Sequence, residues 1–282
     1  MRGREAVYSA QTDYQRRAYE SHFPKRAAAV RSQLAHPLFR SFNDRVAGRI
    51  LDAAGAGGGA PGPRQGPVRV FEPGCGEGLL GSALERVAAE RRVDMSYIGA
   101  DLSPAALDLA RSAVSGELRV GDAAEVAGAL PAASQDVVVA KNLLHHLPDP
   151  TGFLRQVGRV LAPHGTVIAF EPRLGCPQFL LFNILAARRE RHFFQGQRRN
   201  AAAFRDAGYR VLSCELFSWL PYELAFVIRQ DWFRRLFDTS DPKVVARVSE
   251  IDDRLARALP WLACYAVWLA TPQTPRPGPD GS

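Results

Sequence analysis

The chain has 282 residues, 46% of them hydrophobic, and carries a formal net charge of +7. That length and apolar content suit one large domain, or a core with additions. Arginine carries most of the positive charge, Lys25, Lys141 and Lys243 being the three lysines, and no recognition-helix or RNA-stacking pattern accompanies it, so nucleic acid is excluded as the expected partner.

In chain order, residues 1–53 read as helices, with a stripe at Tyr14, Ala18 and Tyr19 and another at Phe39, Phe42, Val46 and Ile50. This segment is expected to form an N-terminal helical lid. Met1 to Phe23 is polar and charged, without a secretory apolar region, which predicts a cytoplasmic protein. Residues 54–67 are rich in glycine and proline and predict a flexible connector. From Val68 to about Glu171, strand and helix patterns alternate, and residues 68–175 form the predicted core. Residues 176–200 predict a cap insertion in one long amphipathic helix. Residues 201–270 resume the core: a helix over Ala201–Tyr209, a strand over Arg210–Phe217, two helices within Tyr222–Ala258, and a last strand over Ala263–Ala270. Thr271 to Ser282 holds four prolines and two glycines and predicts a disordered tail. The longest apolar run, near Phe179–Ala187, is too short to span a bilayer and is broken by Asn183. Cys75, Cys176, Cys214 and Cys264 are scattered and read as reduced thiols rather than a disulfide or zinc framework.

Chemistry concentrates in Val68-Arg69-Val70-Phe71-Glu72-Pro73-Gly74-Cys75-Gly76-Glu77-Gly78-Leu79-Leu80-Gly81. A β-branched run reaches an acid, breaks into glycines and enters a helix. Glycines there allow positive φ and close approach of a ligand, and the helix start presents free N–H groups. Gly76-x-Gly78-x-x-Gly81 satisfies the dinucleotide fingerprint, a weak signal alone. However, Glu72 would repel a pyrophosphate and suit a cationic amine. Tyr97–Asp101 reads as a second strand ending in an acid placed to hold a ribose, and Leu118–Asp122 as a third. Three successive strands thus end in Glu72, Asp101 and Asp122.

Together these stretches resemble the class I S-adenosylmethionine-dependent methyltransferases of the small-molecule type. The resemblance continues through Asp136–Leu147 and Phe153–Val167, spanning roughly residues 68–172. It implies an α/β fold: a Rossmann-like seven-stranded sheet with N-terminal helices and a helical cap inserted after strand five. It also implies S-adenosyl-L-methionine as cofactor, with Gly74, Cys75, Gly76 and Gly78 against its methionine portion and Glu72 near its amine. By the same resemblance Asp101 takes the ribose hydroxyls, Leu102 packs on the adenine, Asp122 and the Ala123 N–H meet the adenine edge, and Asn142 lies beneath the sulfonium. For Asp101 a helix N-cap is the structural alternative, since Ser103-Pro104 follows.

Candidate catalytic residues are His145 and His146 after the fourth strand, Lys141 at a strand end where the family usually has a small residue, and Glu171 at the end of the fifth. Tyr14, Tyr19, His22, Phe179 and Arg188 are candidate substrate contacts from the lid and cap. Aromatic residues gather in these roofing segments and predict an apolar acceptor pocket. The cluster Arg188-Arg189-Glu190-Arg191-His192 with Arg198-Arg199 reads as a solvated helix face or as a site for an acidic group, a carrier protein or a membrane surface. No metal is expected. The resulting expectation is methylation of a small, apolar or acidic metabolite at oxygen, carbon or nitrogen, in bacterial specialised metabolism. The alternatives are a cyclase or isomerase that keeps the cofactor as a bound cation, and a non-catalytic partner subunit.

Overall fold

A computed structural model describes residues 36–56, 66–173, 176–177, 196–220 and 241–273. Among these, seven strands form one sheet: β1 (Val68–Pro73), β2 (Met95–Asp101), β3 (Glu117–Val120), β4 (Gln135–Lys141), β5 (Leu161–Pro172), β6 (Tyr209–Phe217) and β7 (Tyr265–Pro272), in the order β3-β2-β1-β4-β5-β7-β6. The first five run parallel, and β7 is antiparallel to both β5 and β6. The helices are α1 (Pro37–Ala56), α2 (Leu79–Glu90), α3 (Pro104–Ala110), α4 (Ala123–Ala129), α5 (Pro150–Val160), α6 (Gln197–Asp206) and α7 (Pro242–Ala258).

Burial on both faces explains the continuous apolar run Val137–Ala140 of β4. Val70, Val137, Val139 and Phe170 pack against α1, α2 and α7 through Leu38, Phe42, Leu80, Leu84 and Val245. Phe71, Val138, Ala140 and Ala169 pack on the other face against α4, α5 and α6 through Val126, Phe153, Leu154 and Phe204. Strand order reverses at β1/β4, so the loops after these strands open a crevice at their carboxyl ends, where ligands bind in such sheets.

The sequence reading needs adjustment in three places. Of the segment expected as a lid, the described part is core: α1 runs on to Ala56, and its Leu38, Phe42, Val46 and Ile50, four residues apart, are fully or almost fully buried. The helix expected from Ala201 starts at Gln197 behind Gly196, so Arg198 and Arg199 are exposed residues of its first turn instead of the end of the cap. Thr271 and Pro272, assigned to the tail, complete β7 by pairing with Arg210 and Tyr209. The remainder of the expected lid, the connector from 57 to 65, most of the cap, the segment 221–240 and the tail from 274 lie outside the described residues. No helix among the described residues is long and apolar enough to cross a membrane.

Candidate active site at the carboxyl edge of the sheet

The glycine loop is built by backbone conformation. Gly74, Gly76 and Gly78 have φ of 75°, 54° and 77°, a region that costs any residue with a Cβ. At Gly78 a Cβ would also stand 2.8 Å from Val114 Cγ2 and 3.0 Å from Ala110 Cβ, so that glycine seats the loop on its neighbours. At Gly76 it would meet no protein atom within 4 Å. The loop therefore turns an open backbone face outward. The Gly74 and Cys75 N–H groups donate to Ala100 O, at 2.7 and 2.9 Å, tying the loop to the end of β2.

Asp101 joins two loops: one carboxylate oxygen accepts from Gly76 N–H and the other from Ser103 N–H, both at 2.9 Å. It is not the cap of α3, a role taken by Ser103, whose Oγ accepts from Ala106 N–H. A carboxylate offers about four lone-pair directions in all. Asp122 caps α4, accepting from Ala124 N–H at 2.8 Å and Glu125 N–H at 3.4 Å. Leu102 is half-buried beside Asp101, and Ala123 is buried behind Asp122.

Glu72 is 3% exposed and accepts the Tyr97 hydroxyl at 2.6 Å. Burial lifts its carboxyl from the ordinary 4.5 to about 7, with the Tyr97 hydroxyl and the charge of Lys141 opposing the rise and Asp101 adding to it. Burial likewise pushes the Cys75 thiol and the Tyr97 phenol up, the negative charge of Glu72 adding to both. The sequence reading missed Tyr97. Its signal was the third glycine of the fingerprint: a Cβ at Gly81 would lie 2.8 Å from the Tyr97 ring and hydroxyl. That glycine admits the ring that reaches Glu72.

In the neighbouring strand, β4 ends in Lys141, and Asn142 follows at φ 52°, a left-handed conformation asparagine tolerates better than most. The Asn142 N–H donates to Phe170 O, and the chain then folds over the end of β5 into a single 3-10 turn, Leu144–His146. Glu171, 1% exposed, holds that turn. Its Oε1 accepts from Leu143 and Leu144 N–H at 3.0 and 2.8 Å, and its Oε2 lies 2.7 Å from His145 Nδ1. A carboxylate oxygen accepts, so the bonded Nδ1 carries a proton. His146 packs on the His145 ring at 4.1 Å between centroids.

The structure thus gathers Glu72, Gly74, Cys75, Gly76, Gly78, Asp101, Leu102, Asp122, Ala123, Lys141, Asn142, His145, His146 and Glu171 at the carboxyl ends of β1–β5. Tyr14, Tyr19, His22, Phe179 and Arg188 lie outside the described residues. Among the described residues, no group of three or more His, Cys, Asp or Glu could hold a metal ion.

Comparison with known proteins agrees with this architecture. Residues 71–169 match the family model described as a methyltransferase domain. This stretch is a methyltransferase domain. The ubiquinone biosynthesis O-methyltransferase of Xanthomonas campestris pv. campestris (strain B100) is 33% identical over 105 residues, covering 36% of this chain and 41% of that protein. Its counterpart in Xanthomonas oryzae pv. oryzae (strain PXO99A) is 34% identical over 127 residues, 43% of this chain and 45% of that protein. The chain thus matches less than half the length of these curated relatives. Among solved structures, a SAM-dependent methyltransferase from Archaeoglobus fulgidus superposes with a TM-score of 0.52 at 16% identity, over 81% of this chain and 93% of that one. The cyclase SpnF does so with 0.51 at 18%, over 81% and 80%. At such identities these structures establish the fold of the methyltransferase domain and nothing of its chemistry. S-adenosylmethionine is the cofactor of such domains, and the residues present fit it: the open positive-φ backbone at Gly76 leaves room for it, and the carboxylates suit a cationic ligand with a ribose.

Proposed function

We propose that the protein is an S-adenosylmethionine-dependent methyltransferase acting on a small apolar or acidic metabolite. The cofactor supplies an electrophilic methyl group on a sulfonium; everything else is positioning and proton handling by the chain. In this reading Asp101 holds the ribose hydroxyls through a bidentate, charge-assisted pair. Glu72 takes the amine, the loop Gly74–Gly78 with Cys75 lines the methionine portion, and Leu102 packs on the adenine. Asp122 and the Ala123 N–H read the adenine edge, and Asn142 closes the pocket below. Alignment of acceptor and methyl supplies up to ~7–11 kcal/mol of the acceleration in favourable cases.

His145 Nε2 removes the acceptor proton, and Glu171 is the positioning residue that fixes the imidazole tautomer and holds the turn bearing it. A positioned base of this kind contributes about 10²–10⁴-fold. The observation that carries transfer, as opposed to mere cofactor binding, is the 2.7 Å His145–Glu171 pair, buried at the end of β5. The relatives from Xanthomonas are named as O-methyltransferases, so a hydroxyl acceptor is the first chemistry to test.

The test is mass spectrometry of the purified protein with methyl-labelled cofactor and a metabolite extract. A labelled product formed together with S-adenosylhomocysteine supports transfer and gives the acceptor's mass. An unlabelled, isomerised metabolite would instead place the chain among cyclases or isomerases of this fold.

A further inference from the structure

We propose that Tyr97 is a positioning residue for the cofactor: its hydroxyl orients the Glu72 carboxylate for the cofactor's ammonium. This rests on the methyltransferase reading and adds to it a residue that acts through Glu72.

The space given to one ring is the first observation. Tyr97 is the third residue of β2 and is buried. Glycines from three places border it: Gly81 in α2, Gly99 two residues further along β2, and Gly116 just before β3. A Cβ at Gly81 would lie 2.8 Å from the ring's Cζ and from the hydroxyl, one at Gly99 3.0 Å from the hydroxyl, and one at Gly116 2.7 Å from Cδ1. All of these are inside ordinary van der Waals contact. Gly81 is helical and Gly99 extended, conformations open to any residue, so the ring and not the backbone calls for glycine there.

That space would hold a phenylalanine equally well. What tyrosine adds is the hydroxyl, and its partner is Glu72 Oε2 at 2.6 Å. β1 and β2 pair as Val70↔Tyr97 and Glu72↔Gly99. Tyr97 therefore starts beside Val70, and its ring reaches along the same face, past Gly99, to the acid two residues further on. The bond runs in one direction. Burial and the negative charge of Glu72 push the phenol up, so it stays protonated and donates. A donor to a carboxylate favours the charged form, and at Glu72 this hydroxyl is the largest of the influences that oppose burial. Without it the carboxyl would be harder to ionise and less firmly oriented, while a ring would still fill the space. An ammonium needs the acid as an anion in one orientation, and the hydroxyl supplies both.

The experiment is calorimetric titration of two ligands into wild type and Tyr97→Phe. S-adenosylhomocysteine carries the ammonium; 5′-methylthioadenosine keeps adenine and ribose but has no amino-acid portion. Near neutral pH the variant should bind S-adenosylhomocysteine about tenfold more weakly, with methylthioadenosine within about twofold, as expected for loss of a hydrogen bond to a charged group. Wild-type affinity for S-adenosylhomocysteine should rise as pH increases through about 7, where Glu72 ionises, and in the variant that rise should move to higher pH. Cys75, Asp101, Lys141 and the ligand's own amine act in both proteins, so the difference between the two profiles belongs to the hydroxyl. In a Glu72→Gln background, adding Tyr97→Phe should change S-adenosylhomocysteine affinity by no more than about twofold, since the coupled partner is already gone. Equal losses for the two ligands, a profile that does not shift, or a Tyr97→Phe effect that persists in Glu72→Gln overturns the proposal and leaves the cofactor reading standing. No binding of S-adenosylhomocysteine to the wild-type protein refutes the cofactor reading and this inference with it.

Discussion

Replacing Glu72 by glutamine tests the physical description of the site before any substrate is known. Burial raises the Glu72 carboxyl from 4.5 to about 7. Between these values the native group keeps a proton that the unfolded chain has released. The stabilisation linked to that proton is complete below pH 4.5 and is lost as pH rises through about 7. At about 1.4 kcal/mol per pH unit, the loss is on the order of 3 kcal/mol. Glutamine is isosteric with the neutral acid and never ionises, so Glu72→Gln and wild type should be similarly stable near pH 4.5. Above about pH 8 the variant should be the more stable by that amount. Urea unfolding of both proteins across this range, without cofactor, gives the difference directly from the midpoints. A difference that stays constant with pH would refute the reasoning, because it would mean that Glu72 ionises as it does in water.

Three further outcomes follow from the geometry. Glu171→Gln keeps an acceptor for the Leu143 and Leu144 N–H groups but sets an amide donor against His145 Nδ1. Turnover should fall about 10²–10⁴-fold with cofactor affinity within about twofold, and ¹⁵N NMR of the imidazole should show the proton moved to Nε2; unchanged turnover and tautomer would remove Glu171 from the account. Gly78→Ala combines positive φ with a Cβ against Val114 and the Ala110 backbone, and thermal or urea unfolding should show a loss of about 2–5 kcal/mol. Gly76→Ala faces open space and should cost only about 1–2 kcal/mol of stability, with the larger effect on S-adenosylmethionine affinity; equal stability losses in both glycine variants would contradict the picture of one seated and one open glycine.

Much of the frame was legible in the sequence because each feature is local. The β-branched run Val68–Phe71, the acid after it and the alternating glycines specify a strand, a turn and a helix start within fourteen residues of chain. Asp101 and Asp122 could be placed at strand ends for the same reason. What could not be read depends on pairing across the sheet. Glu171 holds the turn after β4 because β5 lies beside β4 in one particular register, Lys141↔Phe170, and no spacing in the sequence encodes that. Tyr97 reaches Glu72 because β2 pairs with β1 as Val70↔Tyr97, which turned an apparent strand-filling tyrosine into a partner of the buried acid. The part of α1 assigned to a lid misled for a related reason: an apolar stripe shows that a helix buries one face, not what it buries it against.

The central claim is that the carboxyl edge of this sheet binds S-adenosylmethionine through Asp101. Isothermal titration of the cofactor into wild type and Asp101→Ala tests it most directly. The account predicts a single site in the wild-type protein and, in the folded variant, affinity weaker by at least about tenfold, as expected for loss of a charge-assisted pair. Equal affinity in the two proteins, or no binding to either, would contradict it.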